Sequence, residues 1–176
     1  KAEVGQRVAI IGAGGIGFDL AAYLTAPASP PSFLAAWGIT ATQSAARGGL
    51  VAPQPAHPAR QVTLLQRKAG KLGEGLGKTT GWIHRAALKN HGVAMLSGVT
   101  YQRMDDAGLH LTVAGQTHVL AVDTVVVCAG QVSVNALAAT LKAEGQTVQV
   151  IGGASEAAAL DAQRAIEAGF CAALAV

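Results

Sequence analysis

The chain has 176 residues, 51% of them hydrophobic and only 13% charged, with a formal net charge of +3 at pH 7. That is enough apolar material for one real core and excludes disorder as the overall state, while basic residues spread along the chain rather than banded argue against nucleic acid as a partner. No apolar run approaches the roughly 20 residues needed to cross a bilayer, and the opening "KAEVGQRVAI" lacks the apolar stretch of a secretion signal, so no membrane partner is expected and a cytoplasmic location is the default.

Residues 6–11 form a short continuous apolar run of the kind expected of a strand covered on both faces. Gly12, Gly14 and Gly17 follow in a Gly-x-Gly-x-x-Gly pattern, and Ile16, Leu20, Ala21 and Leu24 then recur at helical spacing. Residues 25–60 hold all six prolines, in "PASPPS" and "PQPAHP", around the apolar patch "FLAAWG". They read as a surface insert in which the patch forms a turn or two of helix that tucks it down. A second strand is expected at 61–66. A helix should follow at 79–91, with a threonine at its start, Ile83, Ala86, Ala87 and Leu88 inside, and Gly92 as its stop. "VAMLSG" supplies a third strand.

The period then changes. Between residues 100 and 122, Leu109, Leu111 and Val113 alternate with polar His110 and Thr112, the pattern of an antiparallel meander with one wet face. "TVVVCAG" returns to a buried parallel strand, followed by a short helix at 135–143, a last strand "TVQVIGG" and a closing helix at 156–173. The expected fold is α/β, a doubly wound, mostly parallel Rossmann-like sheet with the antiparallel meander as a crossover. Cys128 and Cys171 form no C-x-x-C pair, and both read as core residues rather than metal ligands or half-cystines.

A strand, a glycine turn and a helix in that order form a dinucleotide fingerprint. The first glycine permits the sharp turn, the second lets pyrophosphate approach the backbone, and the third lets helix and strand pack closely. Gly12, Gly14, Gly15, Ile16 and Gly17 are therefore candidate pyrophosphate-binding residues. The end of the second strand decides which dinucleotide is favoured. An NAD site usually places Asp or Glu there for the ribose 2'-hydroxyl, whereas this chain places Gln66, Arg67 and Lys68. A carboxylate repels a 2'-phosphate and Arg67 and Lys68 attract one, so NADPH is the expected cofactor. "GEGLGKTTG" resembles a phosphate loop, but Leu72 stands where that pattern requires glycine, so Lys78 and its threonines are placed at the mouth of the dinucleotide cleft instead. Trp82, just beyond this loop, is a candidate to lie against the nicotinamide or flavin ring, the alternative being a helix-start residue packed in the core.

"IIGAGGIGFD", "LLQRK", "GLGKTTGWIHR", "VVVCAG" and "IGGASEAAALDAQRAIEAG" together resemble the C-terminal part of the bacterial NADPH-dependent 2,4-dienoyl-CoA reductases, flavoproteins similar to old yellow enzyme and trimethylamine dehydrogenase. The resemblance covers essentially the whole chain. It implies a parent protein with an FMN-containing barrel, a 4Fe-4S cluster, an FAD domain and an NADPH domain inserted into the latter. In such a protein NADPH gives hydride to FAD, electrons cross the cluster to FMN, and a dienoyl thioester of fatty-acid β-oxidation is reduced. Residues 1–145 would be the NADPH domain and 146–176 the returning strand and helix of a truncated FAD domain. The partner would be the remainder of the same polypeptide, with a homodimer of the isolated chain as a further expectation. No catalytic acid or metal ligand is expected within these residues, and the chain alone should not reduce dienoyl-CoA. Gly152-Gly153 stands where many related flavoproteins carry Gly-Asp, leaving only backbone N–H groups to meet FAD there. The competing functional class is a non-redox nucleotide-binding or structural remnant, against which the basic corner at Arg67 and Lys68 argues.

Overall fold

The computed structural model describes residues 3–29, 32–41, 47–54 and 57–175. The chain divides into two compact units, Lys1–Ala129 and Gly130–Val176.

The first unit is built on a four-stranded parallel sheet, β1 (Arg7–Ile11), β2 (Gln61–Leu65), β3 (Ala94–Leu96) and β7 (Thr124–Val127), in the order β3-β2-β1-β7. The first strand lies inside the sheet, with Ile11 opposite both Leu65 and Val127. Strand order therefore reverses direction at the carboxyl end of β1, the place where open α/β sheets bind ligands. Both faces of β1 are covered, which explains its unbroken apolar run. Val8 and Ile10 pack with Phe18, Ala21 and Leu24 of α1 (Gly15–Thr25) and Leu88 of α3 (Gly81–Asn90), while Ala9 joins Leu65, Val99, Leu109 and Leu111 on the other face. The second face is roofed by the expected meander, β4 (Val99–Asp105), β5 (Gly108–Val113) and β6 (Gln116–Leu120), whose pairings are all antiparallel. Leu109 and Leu111 are buried and His110 and Thr112 less so, as alternation requires. The result is helices, parallel sheet and antiparallel sheet in three layers, the Rossmann-like mixed fold that the patterning implied.

Several local expectations are corrected. Ile16 is not on the inner side of α1 but 60% exposed. Gly17 is the residue turned to the sheet, and Ile16, one residue earlier, is rotated by about 100° from it. The helix after the second strand starts at Gly81, and Thr80 precedes it without a side-chain capping bond; of its expected inner residues Leu88 is buried, Ala86 and Ala87 are half-buried and Ile83 is exposed. Strand β7 is half-buried rather than buried, with Val127 exposed, because it forms the sheet edge. In the insert, α2 (Phe33–Ala36) is a single turn capped by Ser32, whose Oγ accepts from the Ala35 amide at 3.2 Å. The turn does not tuck its patch into the core: Phe33 and Leu34 are exposed, and the surrounding backbone bonds to itself, Val51 N–H to Gly38 O and Gln54 N–H to Ala35 O. Pro30, Pro31 and Pro55 lie outside the described residues.

The second unit holds α4 (Ala136–Ala143), the short turn α5 (Gly152–Ser155) and α6 (Ala162–Leu174). The strand expected at "TVQVIGG" is not formed: no β-ladder runs through those residues, and a strand exists only where a neighbour supplies the opposing backbone groups. The closing helix begins later than residue 156. Ala159 adopts a left-handed φ of 49°, which interrupts any helix there, and Asp161 caps the restart by accepting from the Arg164 amide at 2.8 Å. Cys171 lies exposed on α6 rather than in a core; Cys128 is half-buried, which pushes its thiol pKa upward.

Candidate nucleotide-binding site

The site begins with the turn from β1 into α1. Gly12 has φ +116°, a conformation side chains rarely adopt, and a Cβ there would stand 2.5 Å from the Cys128 carbonyl oxygen. At Gly17 a Cβ would stand 1.9 Å from the Gly12 carbonyl oxygen and 3.4 Å from Leu64. Gly14 and Gly15 are different: no atom lies within 4 Å of a Cβ built on either. Two glycines are thus demanded by the chain's own packing, and the two between them leave open space in front of the turn. Gly14 is the N-cap of α1, no side chain caps that end, and its first turn holds no acidic residue. The amides at the start of α1 and the positive end of its dipole meet that space, which is what pyrophosphate binding needs.

The basic corner lies beside the turn. The Gly12 amide donates to the Leu65 carbonyl at 2.9 Å, so Gln66, Arg67 and Lys68 leave β2 next to the glycines. Their backbone is held from the far side as well. Gln66 N–H donates to Leu96 O at 2.9 Å, Val99 N–H to Gln66 O at 3.0 Å and Gly98 N–H to Lys68 O at 3.2 Å, while the Gln66 side chain donates to Lys68 O at 2.9 Å. Arg67 and Lys68 themselves project into solvent. The Lys68 ammonium lies 3.7 Å from the Glu74 carboxylate, with both side chains largely exposed, a loose pair of small energetic weight.

The loop before α3 is attached to the same neighbourhood. Gly73, at φ +68°, lies so close to Phe18 that a Cβ would meet its ring at 2.7 Å, and Arg85 of α3 donates to the Gly73 carbonyl at 3.0 Å. Lys78, Thr79 and Thr80 are exposed on this loop. Trp82, in the first turn of α3, is 59% exposed, so it is not a packed core residue. Its helix is tied to α1 through Arg85, Gly73 and Phe18. No motif in the sequence marks Tyr101. Its phenolic oxygen is shielded from solvent and has no hydrogen-bond partner among the described residues.

An open hollow of about 490 Å³ lies elsewhere, lined by Arg7, Met104, Asp105, Asp106 and Asp123, and Arg7 is the first residue of β1, at the opposite end from the glycines. Its three carboxylates are unsuited to phosphate, whereas an extended dinucleotide fits an open groove across the strand ends.

Residues 1–157 match the family described as pyridine nucleotide-disulphide oxidoreductase. The chain belongs to that family. Among solved structures, it is similar to 2-naphthoyl-CoA reductase in complex with 2-naphthoyl-CoA, at 20% identity and a TM-score of 0.66 over 96% of this chain and 21% of that one. It is likewise similar to histamine dehydrogenase from Rhizobium sp. 4-9, at 16% identity and a TM-score of 0.66 over 97% of this chain and 23% of that one. These likenesses show a shared fold, and the chain spans between a fifth and a quarter of the length of either structure. In this member of the pyridine nucleotide-disulphide oxidoreductase family, Cys128 and Cys171 are both free thiols and lie in different compact units. Among the described residues no group of His, Cys, Asp and Glu is arranged to hold a metal, and no helix is long and apolar enough to cross a membrane.

Proposed function

We propose that this chain is the NADPH-docking unit of a multi-cofactor flavoprotein that passes hydride from NADPH to FAD, for the reduction of 2,4-dienoyl-CoA thioesters in fatty-acid β-oxidation. One observation carries the cofactor choice: the bond from Gly12 to Leu65 sets an open glycine turn beside Arg67 and Lys68, with no carboxylate at the end of β2. NADPH when bound supplies the hydride. The protein's part is to hold it. The amides of Gly15, Ile16 and Gly17 and the space in front of Gly14 take the pyrophosphate, Arg67 and Lys68 take the 2'-phosphate, and Trp82 offers an exposed aromatic face to the nicotinamide or flavin ring.

The larger protein is part of the same proposal. FAD, FMN and a 4Fe-4S cluster reside in the remainder of the polypeptide, residues 1–145 serve as the NADPH domain, and residues 146–176 complete the FAD domain. A likeness to a reductase of an aromatic CoA thioester supports the thioester substrate class, and the small share of that protein which the chain spans supports further domains. Hydrogen bonds to charged groups contribute roughly 1.5–3 kcal/mol each, and 1.4 kcal/mol is a tenfold change in affinity. Titration calorimetry on the 176-residue chain should therefore show NADPH bound at least tenfold more tightly than NADH. Equal affinities would sink the reading.

A further inference from the structure

Gln66 follows β2 at the point where the corner turns, and its backbone is tied twice to the segment after β3. Its amide donates to Leu96 O at 2.9 Å, and its carbonyl accepts from Val99 N–H at 3.0 Å. The side chain adds a third tie. Its Nε2 donates to the Lys68 carbonyl at 2.9 Å, and the same carbonyl accepts the Gly98 amide at 3.2 Å. Residues 66–68 are thereby closed into a short loop fastened at both ends, with Arg67 between the fastenings. The side chains of Arg67 and Lys68 both project into solvent, where a ligand can reach them.

The tie depends on the amide. A carbonyl oxygen only accepts, so the side chain that meets Lys68 O must donate, and an ionised carboxylate has nothing to donate. Glutamate at 66 would set its lone pairs against that carbonyl and place a negative charge beside the two basic residues. Glutamine supplies the donor without the charge. Its effect on binding follows from preorganisation: basic side chains carried on a backbone already fixed lose less freedom when an anion arrives.

We propose that Gln66 is a positioning residue for nucleotide discrimination: through its bond to the Lys68 carbonyl it fixes the backbone from which Arg67 and Lys68 meet the nucleotide 2'-phosphate. This rests on the assignment of Arg67 and Lys68 to that phosphate. Gln66 acts through those two side chains and not by contact with the nucleotide.

Calorimetry on the 176-residue chain with 2',5'-ADP and 5'-ADP reads the discrimination directly. Gln66→Met keeps the length of the side chain and removes the donor. It should weaken 2',5'-ADP about threefold or more while leaving 5'-ADP unchanged. Gln66→Glu should weaken 2',5'-ADP further, because repulsion of the phosphate is added to loss of the tie. A mutant cycle separates positioning from a general loosening of the fold. In an Arg67→Met, Lys68→Met background, Gln66→Met should change neither affinity, since the side chains it positions are gone. Equal loss for both nucleotides, no loss for either, or a loss that persists in that background overturns the assignment. Should the unsubstituted chain fail to distinguish the two nucleotides, the NADPH reading falls and this assignment with it; discrimination that survives intact in Gln66→Met removes this assignment alone. If Gln66→Met does not fold, Gln66→Ala carries the same expectations.

Discussion

Gly17 approaches Gly12 so closely that a Cβ at position 17 would lie 1.9 Å from the Gly12 carbonyl oxygen, and that oxygen is backbone and cannot swing aside. Gly17→Ala gains up to about 1 kcal/mol of helix propensity, but the clash forces strand and helix apart at a cost of about 1–3 kcal/mol or more. The clash wins. Gly17→Ala should lower the unfolding free energy by about 2 kcal/mol in a denaturant titration. Gly14 makes the opposite case, since its φ of −84° suits any residue and no atom lies within 4 Å of a Cβ there. Gly14→Ala should stay within about 1 kcal/mol of the parent, as expected for an N-cap change, yet lose more than tenfold in dinucleotide affinity because its methyl occupies the phosphate's space.

The basic corner should be reversible. Arg67→Asp combined with Lys68→Ala replaces two attractions for a 2'-phosphate by one repulsion and offers a carboxylate to a free 2'-hydroxyl. NADH should then bind more tightly than NADPH by calorimetry, and the salt dependence of NADPH binding should weaken.

Glu74 shares this corner, 3.7 Å from the Lys68 ammonium. The pair is exposed and worth about 0–1 kcal/mol, so Glu74→Gln should leave the melting temperature nearly unchanged. Its carboxylate does compete with a phosphate for Lys68. Glu74→Gln should tighten NADPH about two- to threefold at low ionic strength, with the gain disappearing at high salt.

At the opposite end of the sheet, Arg7 Nη2 lies 2.5 Å from Asp123 Oδ1, and the Arg7 amide donates to Asp123 Oδ2 at 2.8 Å. These bonds, the side-chain one first, hold the Asp123 pKa below its ordinary 3.8, and His110 does the same for Asp105. A depressed carboxylate pKa contributes stability above the unfolded value and loses it as pH falls through the folded one. Stability measured by chemical denaturation should therefore decline as pH drops below about 4, and Asp123→Asn should show a shallower decline because only the Asp105 share remains.

Residues 130–176 form their own compact unit, and all of the glycine turn, the basic corner and both sheets lie before it. A chain ending at Ala129 should fold and keep its NADPH affinity within about twofold. Helix α6 has no buried residue, and Ile166, Phe170 and Leu174 repeat along it at four-residue spacing, all exposed. Apolar stripes of this kind drive association, so the 176-residue chain should show concentration-dependent mass in sedimentation while the shortened chain stays monomeric.

By itself the sequence determined what rests on short-range geometry. The run at Val8, Ala9 and Ile10 meant a strand covered on both faces, and the alternation of Leu109, Leu111 and Val113 meant a half-wet meander, because side-chain period follows from backbone geometry alone. The glycine spacing was legible for the same reason: positions 12 and 17 have no room for a Cβ whichever ligand is bound. What only the tertiary structure decided depends on groups far apart in the chain. "TVQVIGG" has the apolar content of a strand but no ladder, since a strand is a property of two segments and not one. Ile16 fits the helical repeat yet is exposed, because the contact between Gly17 and Gly12 sets the rotation of α1. Tyr101 carries no motif. Its strand is joined to the segment after β2 by backbone bonds between residues about thirty apart in sequence, and no local pattern encodes which distant segment a strand will meet.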